Sequence, residues 1–388
     1  MGLPTLHSLL VKCEIVSNSA QISYQKLLSN LSVNILRKLF EEVFMSQLSQ
    51  VLGEMSHKDS SSWSKKLVTV VLDDSVFRSW LSSQGCANDF EDCYGKFFSG
   101  QFGTCVYGFR VLSLGVSIDG LLYPLFFDFI KKNSSESYQK PVKVAQKLIR
   151  RWGDYRKRLA KEGCLLPKLH LSCDSGYSDS GLAESCAQNG LCYISVPKKS
   201  HDVEIEGKKV KLSEWIENTF IPAEKAHLVQ QKLLPDDQKT AFTMRVSAYY
   251  CSKKQAVTLL FFRLNGSKKV SVIYSISKHI FAKTLRRHWF QRTYIEQFFK
   301  MLKHVLQIQE ARTKDKKGFE FKLYRFAYVA WHAQKLVRWI RKKMKHFGRK
   351  GFITIQRTLA SDPDILYLLQ KQIMICLLYT SPSPRDVP

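Results

Sequence analysis

KLHLSCDSGYSDSGLAESCAQNGLCYISVP, Lys168 to Pro197, holds a strand, an acid, a helix and a second strand in thirty residues. The short apolar run LHLSC stops at Asp174, SGLAESCAQNG reads as a helix closed by Gly190, and LCYISVP is again strand-like. Strands alternating with helices define an α/β sheet, and in such sheets functional groups emerge at strand ends.

The flanking sequence extends this pattern. Upstream, LVTVVLDD (67–74) is a β-branched run ending in two acids. FGTCVYGFRVLSLGVSIDGLLYPLFFDF (102–129) reads as two or three strands, with Asp119-Gly120 as a hairpin turn. Lys140 to Glu162 is helical and basic, with nine Lys/Arg against two acids. Downstream, 201–285 reads as mostly β through VEIEGKKVKL, FTMRVSAYYC, AVTLLFFRL and KKVSVIYSI. Helical periodicity returns from Arg286 to Val305 and again over roughly Phe319 to His346. Residues 1 to about 64 also read as helical, through Leu36, Leu39, Phe40 and Phe44. No internal repeat is visible.

Composition narrows the function. Sixty Lys/Arg against 33 Asp/Glu in 388 residues give a formal net charge of +27. That excess disfavours an ordinary small-metabolite enzyme and favours a polyanion, nucleic acid before an anionic membrane surface. No apolar run approaches the ~20 residues of a membrane span, and the N-terminus lacks the basic start and cleavage site of a signal peptide. The ten cysteines show no CxxC spacing, which suits a reduced, cytosolic chain with buried thiols. Residues 312–350 carry fourteen Lys/Arg against two acids, interleaved with Tyr324, Phe326, Tyr328, Trp331 and Trp339. Aromatics inward at helical spacing and basic residues outward toward phosphates is the reading, and the helix at 140–162 reads likewise.

Three acids are positioned to carry chemistry. Asp74 and Asp174 end strands, and Glu296 lies on a helix whose apolar face is Ile295, Phe298, Phe299 and Leu302. Three convergent carboxylates suit two Mg²⁺ ions, which take oxygen ligands and drive in-line phosphoryl transfer. Each acid also has a structural explanation: a turn former or N-cap for the aspartates, an i,i+4 ion pair with Arg292 or Lys300 for Glu296.

WFQRTYIEQFFKMLK gives Trp289-x2-Arg292-x3-Glu296-x6-Lys303. This resembles the Y-x2-R-x3-E-x6-K signature of insertion-sequence DDE transposases of the cut-and-paste, IS-four type, with Trp in place of Tyr. TVVLDDSVF resembles the family's strand ending in D-[ST], which selects Asp74 over Asp73, and LHLSCDSGY resembles its D-x-G/A-Y block, which selects Asp174. The resemblance covers roughly residues 68–350.

It implies an RNase H-like mixed α/β sheet with flanking helices, interrupted by a β-rich insertion and preceded by a small helical region. It further implies two Mg²⁺ ions (Mn²⁺ as substitute) on Asp74, Asp174 and Glu296, with Trp289, Arg292, Lys300 and Lys303 against DNA. The partner is then double-stranded DNA, at terminal inverted repeats and target, held by a homodimer without membrane attachment. The setting is the nucleoid-associated cytoplasm of a prokaryote. The expected organisation is a helical N-terminal region (1–64) contacting DNA ends, the first part of the core (65–200), the insertion (201–285), the closing core helices (286–350) and a tail (351–375). CLLYTSPSPRD (376–386) back-translates without strain to a transposase-based sequencing adapter, so 376–388 is expected to be adapter read through as protein. Two other functions fit the same residues: a catalytically silent, transposase-derived DNA-binding protein, and an RNase H-like structure-selective nuclease.

Overall fold

A computed structural model of the chain describes residues 32–57, 66–78, 92–230, 242–263, 267, 269–277, 280–309 and 316–343. The expectations for residues 1–31, for the tail at 351–375 and for the adapter segment at 376–388 lie outside these residues.

Among the described residues eleven strands form a single mixed sheet: β1 (Val68–Arg78), β2 (Tyr94–Ser99), β3 (Thr104–Ile118), β4 (Leu121–Ile130), β5 (Leu169–Cys173), β6 (Leu191–Ser195), β7 (Asp202–Ile205), β8 (Lys208–Lys211), β9 (Thr243–Tyr250), β10 (Gln255–Arg263) and β11 (Val270–Ser275). Their order is β2-β3-β1-β5-β6-β11-β10-β9-β7-β8, with β4 also paired to β3. β1, β3 and β4 are antiparallel, whereas β1, β5 and β6 run parallel. The turn between β3 and β4 is the expected one: Asp119 (φ 48°) and Gly120 (φ 90°) take the left-handed conformations that a tight hairpin turn requires.

Parallel strands need covered faces, and helices supply them. α1 (Val33–His57), α2 (Pro141–Lys161) and α3 (Ser180–Gln188) pack on one face. α2 begins on Pro141 and buries Val144, Leu148, Ile149, Trp152, Tyr155 and Leu159 along one stripe. Two of its basic residues, Arg151 and Arg158, pair with Glu41 and Glu42 of α1, and Arg156 donates to the carbonyls of Leu166, Pro167 and Gly190. Part of the basic surface expected at 140–162 is therefore spent inside the fold.

The region 201–285 is less uniformly β than its sequence suggests. Helical turns α4 (Leu212–Trp215) and α5 (Ile221–Gln230), joined through a π-helical Ile216–Phe220, lie between β8 and β9. The strands of this region continue the same sheet, since β11 pairs antiparallel with β6.

The opposite face is covered by α6 (Ala282–Phe290), α7 (Thr293–Lys300) and α8 (Lys316–Lys343). The single helix expected from Arg286 to Val305 starts earlier and breaks at Gln291–Arg292, then widens into a π-turn at Met301–Val305. At the break, buried Gln291 accepts a hydrogen bond from Ser117 of β3 (2.9 Å), and Thr293 bonds back to the Phe290 carbonyl (2.8 Å). Tyr324 and Trp331 of α8 are fully buried, as its aromatic spacing predicts.

Candidate active site

Strand phase decides which acids meet. In β1 the even positions Val68, Val70 and Leu72 belong to the core beneath α1 and α2, while Val71 and Phe77 belong to the core beneath α7 and α8. Asp73 shares the phase of Val71, so its carboxylate faces α7. β5 runs parallel beside β1 with Leu72 opposite Cys173, which makes Asp73 and Asp174 the next pair along the two strands. Glu296, one turn into α7, lies over the same edge. All three carboxylates surround one guanidinium: Arg292 is 3.5 Å from Asp73, 3.9 Å from Asp174 and 2.8 Å from Glu296.

Asp74 lies on the other face. Its carboxylate accepts from Arg110 Nε (2.6 Å) and Nη2 (3.2 Å) and from the Tyr177 hydroxyl (2.5 Å). Tyr177 ends the 3₁₀ turn Ser175–Tyr177 that directly follows Asp174. Asp74 thus fastens that turn to β1 and β3, and it is Asp73, not Asp74, that stands with Asp174 and Glu296. The i,i+4 ion pair that offered a structural explanation for Glu296 is present, with Arg292 rather than with the exposed Lys300.

The electrostatics differ sharply across the group. Burial pushes the Asp73 carboxyl up to about 7, against the pull of Arg292 and with the charges of Asp74 and Glu296 adding to the rise. Asp174 and Glu296 remain open to solvent, their side chains 48% and 36% exposed against 14% for Asp73. Lys303, on the π-turn, sits with its ammonium 5.3 Å from the Phe77 ring; burial lowers it to about 8, opposed by Asp74 and Asp73. Trp289 packs in a small apolar cluster with Phe262 and lies 5.9 Å from the Arg292 guanidinium. Its indole Nε1 and Arg292 Nε are both buried without a hydrogen-bond partner.

Two residues of this edge are not selected in the sequence. Asp73 is set aside for Asp74 on the D-[ST] resemblance, and because both faces of LVTVVL are apolar the phase of the strand does not correct that choice. Lys253 belongs to the turn between β9 and β10, yet its ammonium reaches Ser178 Oγ (2.6 Å), four residues beyond Asp174. The sequence signal for Lys253 is only a lysine pair in a turn between two β runs.

Carboxylate oxygens are the donors that a hard divalent cation takes, so the chemistry of the set fits Mg²⁺. Among the described residues no three His, Cys, Asp or Glu side chains lie close enough together to hold one ion. The acids are gathered around Arg292 rather than closed on a common point.

Fold and site together define an α/β protein with an open acidic edge at the ends of two parallel strands. Residues 142–330, just under half of the chain, match the family described as Transposase DDE domain, which supports a DDE transposase. The matched span includes Asp174, Lys253, Trp289, Arg292, Glu296 and Lys303 and leaves out Asp73 and Asp74. No curated protein matches the chain. Among the described residues no helix is long and apolar enough to cross a membrane.

Proposed function

We propose that this chain is a DNA transposase that cuts and joins the ends of an insertion sequence by metal-dependent phosphoryl transfer, with Asp73, Asp174 and Glu296 as its carboxylates. The observation that carries the reading is the meeting of three acids from β1, β5 and α7 around one arginine, within a segment largely matched by a transposase family. The strand order β4-β3-β1-β5-β6, three antiparallel strands followed by two parallel ones, supports an RNase H-like core, and β7–β11 supply the β-rich insertion.

Asp73, Asp174 and Glu296 would hold Mg²⁺, which when bound activates the attacking oxygen and stabilises the leaving one. The chain's own residues do the rest. Arg292 and Lys303 offer charge to the phosphates flanking the scissile bond. Trp289 supports Arg292 from below by packing, in place of the hydroxyl contact that the family's Tyr would make. Asp74, Arg110 and Tyr177 keep the turn after Asp174 in register with β1. Lys300, exposed at the end of α7, adds charge toward the DNA backbone, and two copies of the chain would hold the two ends.

The test is end cleavage and strand transfer with Mg²⁺ or Mn²⁺ on DNA carrying the element's terminal repeats. Asp174→Ala abolishes cleavage and leaves DNA binding intact. Cleavage at the wild-type rate by Asp174→Ala refutes the assignment. Cleavage without strand transfer in the wild type identifies a structure-selective nuclease, and binding without cleavage a silent DNA-binding descendant.

A further inference from the structure

The turn between β9 and β10 carries Lys253 into a polar niche beside the acidic edge. The turn is a single 3₁₀ segment, Cys251–Lys253, closed by Lys254 in the left-handed conformation (φ 49°). From it the Lys253 ammonium donates to Ser178 Oγ (2.6 Å) and to the Tyr274 hydroxyl (3.0 Å), which are 2.9 Å from each other. It also lies 5.0 and 5.2 Å from the ring centroids of Tyr250 and Tyr274. Among the described residues it makes no ion pair, although it is half-buried. Burial disfavours its charge most, Asp179 is close enough to support it, and Lys198 opposes it more weakly.

A desolvated ammonium is ordinarily matched by a carboxylate. Here its direct contacts are two hydroxyls and two ring faces, all neutral, and Asp179 supports the charge without an ion pair, so the ammonium keeps capacity for an anion. Hydroxyls rotate and can donate as well as accept, and a lysine is a point charge that binds phosphate without a fixed approach angle. Ser178 is separated from Asp174 by only the 3₁₀ turn Ser175–Tyr177, which Asp74 and Arg110 clamp. A phosphate seated on Lys253 would therefore lie beside the turn that follows Asp174.

We propose that Lys253, Ser178 and Tyr274 form a phosphate-binding site for the DNA backbone next to the acidic edge, through which β9–β11 grip the same DNA as Asp174. This rests on the transposase reading. The competing explanation is a purely structural tie between the β9–β10 hairpin and the turn after Asp174, and the two differ in measurable ways.

The experiment is fluorescence anisotropy of the full chain with labelled random-sequence duplex DNA, without divalent metal, across a salt series. Lys253→Met keeps the apolar stem over the tyrosine rings and removes the charge. A lost phosphate contact weakens binding and makes the slope of log K against log salt shallower by about 0.9. Lys253→Arg restores the slope, and Ser178→Ala weakens binding while leaving the slope as it was. An unchanged slope for Lys253→Met overturns the proposal, and if the melting temperature falls as well, Lys253 is a structural tie. Failure of the wild-type chain to bind DNA overturns the transposase reading and this site with it, whereas wild-type binding with an unchanged mutant slope overturns the site alone.

Discussion

Exchanging Asp73 and Asp74 separately for asparagine distinguishes a ligand from a fastening. Asp74→Asn removes the charge from a carboxylate that is 15% exposed and accepts two bonds from Arg110 and one from Tyr177. The amide oxygen can still accept from Tyr177, but the amide nitrogen replaces the oxygen that accepts from Arg110 Nε, so that bond is lost together with the charge, about 2 kcal/mol for a largely buried charged bond. Asp73→Asn removes a carboxylate that is 14% exposed, has its nearest cation at 3.5 Å and shares its surroundings with Glu296. Its loss relieves a burial penalty and leaves the apo chain equally stable or about 1 kcal/mol more stable, as neutralising functional groups commonly does. Differential scanning fluorimetry without metal should show Asp74→Asn melting several degrees below wild type and Asp73→Asn at or above it. End cleavage should show the reverse order: Asp73→Asn falls to background, while Asp74→Asn keeps activity within about 10- to 100-fold, the usual cost of losing a group that orients a ligand. An inactive Asp74→Asn with unchanged melting, beside an active Asp73→Asn, would refute the reasoning and restore Asp74 as the ligand.

Other perturbations bear on neighbouring parts of the fold. His170 of β5 and His288 of α6 face each other with ring centroids 4.1 Å apart, and burial lowers them to about 4 and about 3. Both folded values lie below the ordinary 6.5, so stability is complete above pH 6.5 and falls as pH drops, by about 2 kcal/mol per histidine at pH 5; urea unfolding at pH 7 and pH 5 measures it. Gly108→Ala would place a Cβ 2.0 Å from the Phe77 carbonyl oxygen, where β3 pairs with the end of β1, and should cost about 3 kcal/mol or more by chemical denaturation. Arg292→Ala leaves three carboxylates without their shared cation, so the variant should melt below wild type in EDTA and gain more from added Mg²⁺ than wild type does. Leu285 of α6, fully buried, should cost about 3 kcal/mol when cut to Ala.

The strand–helix–strand unit of Lys168–Pro197 and the Asp119-Gly120 hairpin were legible because their signals are local: apolar runs, a cap, a turn dipeptide. Asp73 and Asp74 were not separable by the same means. A strand buried on both faces has no alternation, so nothing in VTVVLDD states which acid faces which helix. Only the register against β5 and the presence of Arg110 on β3 settle it. The break at Gln291–Arg292 depends on Ser117, 174 residues away, and the place of Lys253 depends on a sheet that joins β9–β11 to β6; both are long-range facts. Helix periodicity still placed Glu296 and Arg292 on one face, because i and i+4 meet in any helix. β2 lies outside the strands expected from sequence, although its burial does alternate.

The guanidinium of Arg292 is held by the same three acids that the proposed mechanism gives to metal. On that reading it has two possible counterions, its own carboxylates or a DNA phosphate, and it cannot satisfy both fully. A phosphate that draws Arg292 away leaves the acids with unopposed negative charge and raises their affinity for a divalent cation. By thermodynamic reciprocity, a bound cation must raise the affinity for the phosphate by the same factor. One side chain would then make metal loading and DNA loading mutually reinforcing, with the chain least disposed to hold the ion when no DNA is there to be cut.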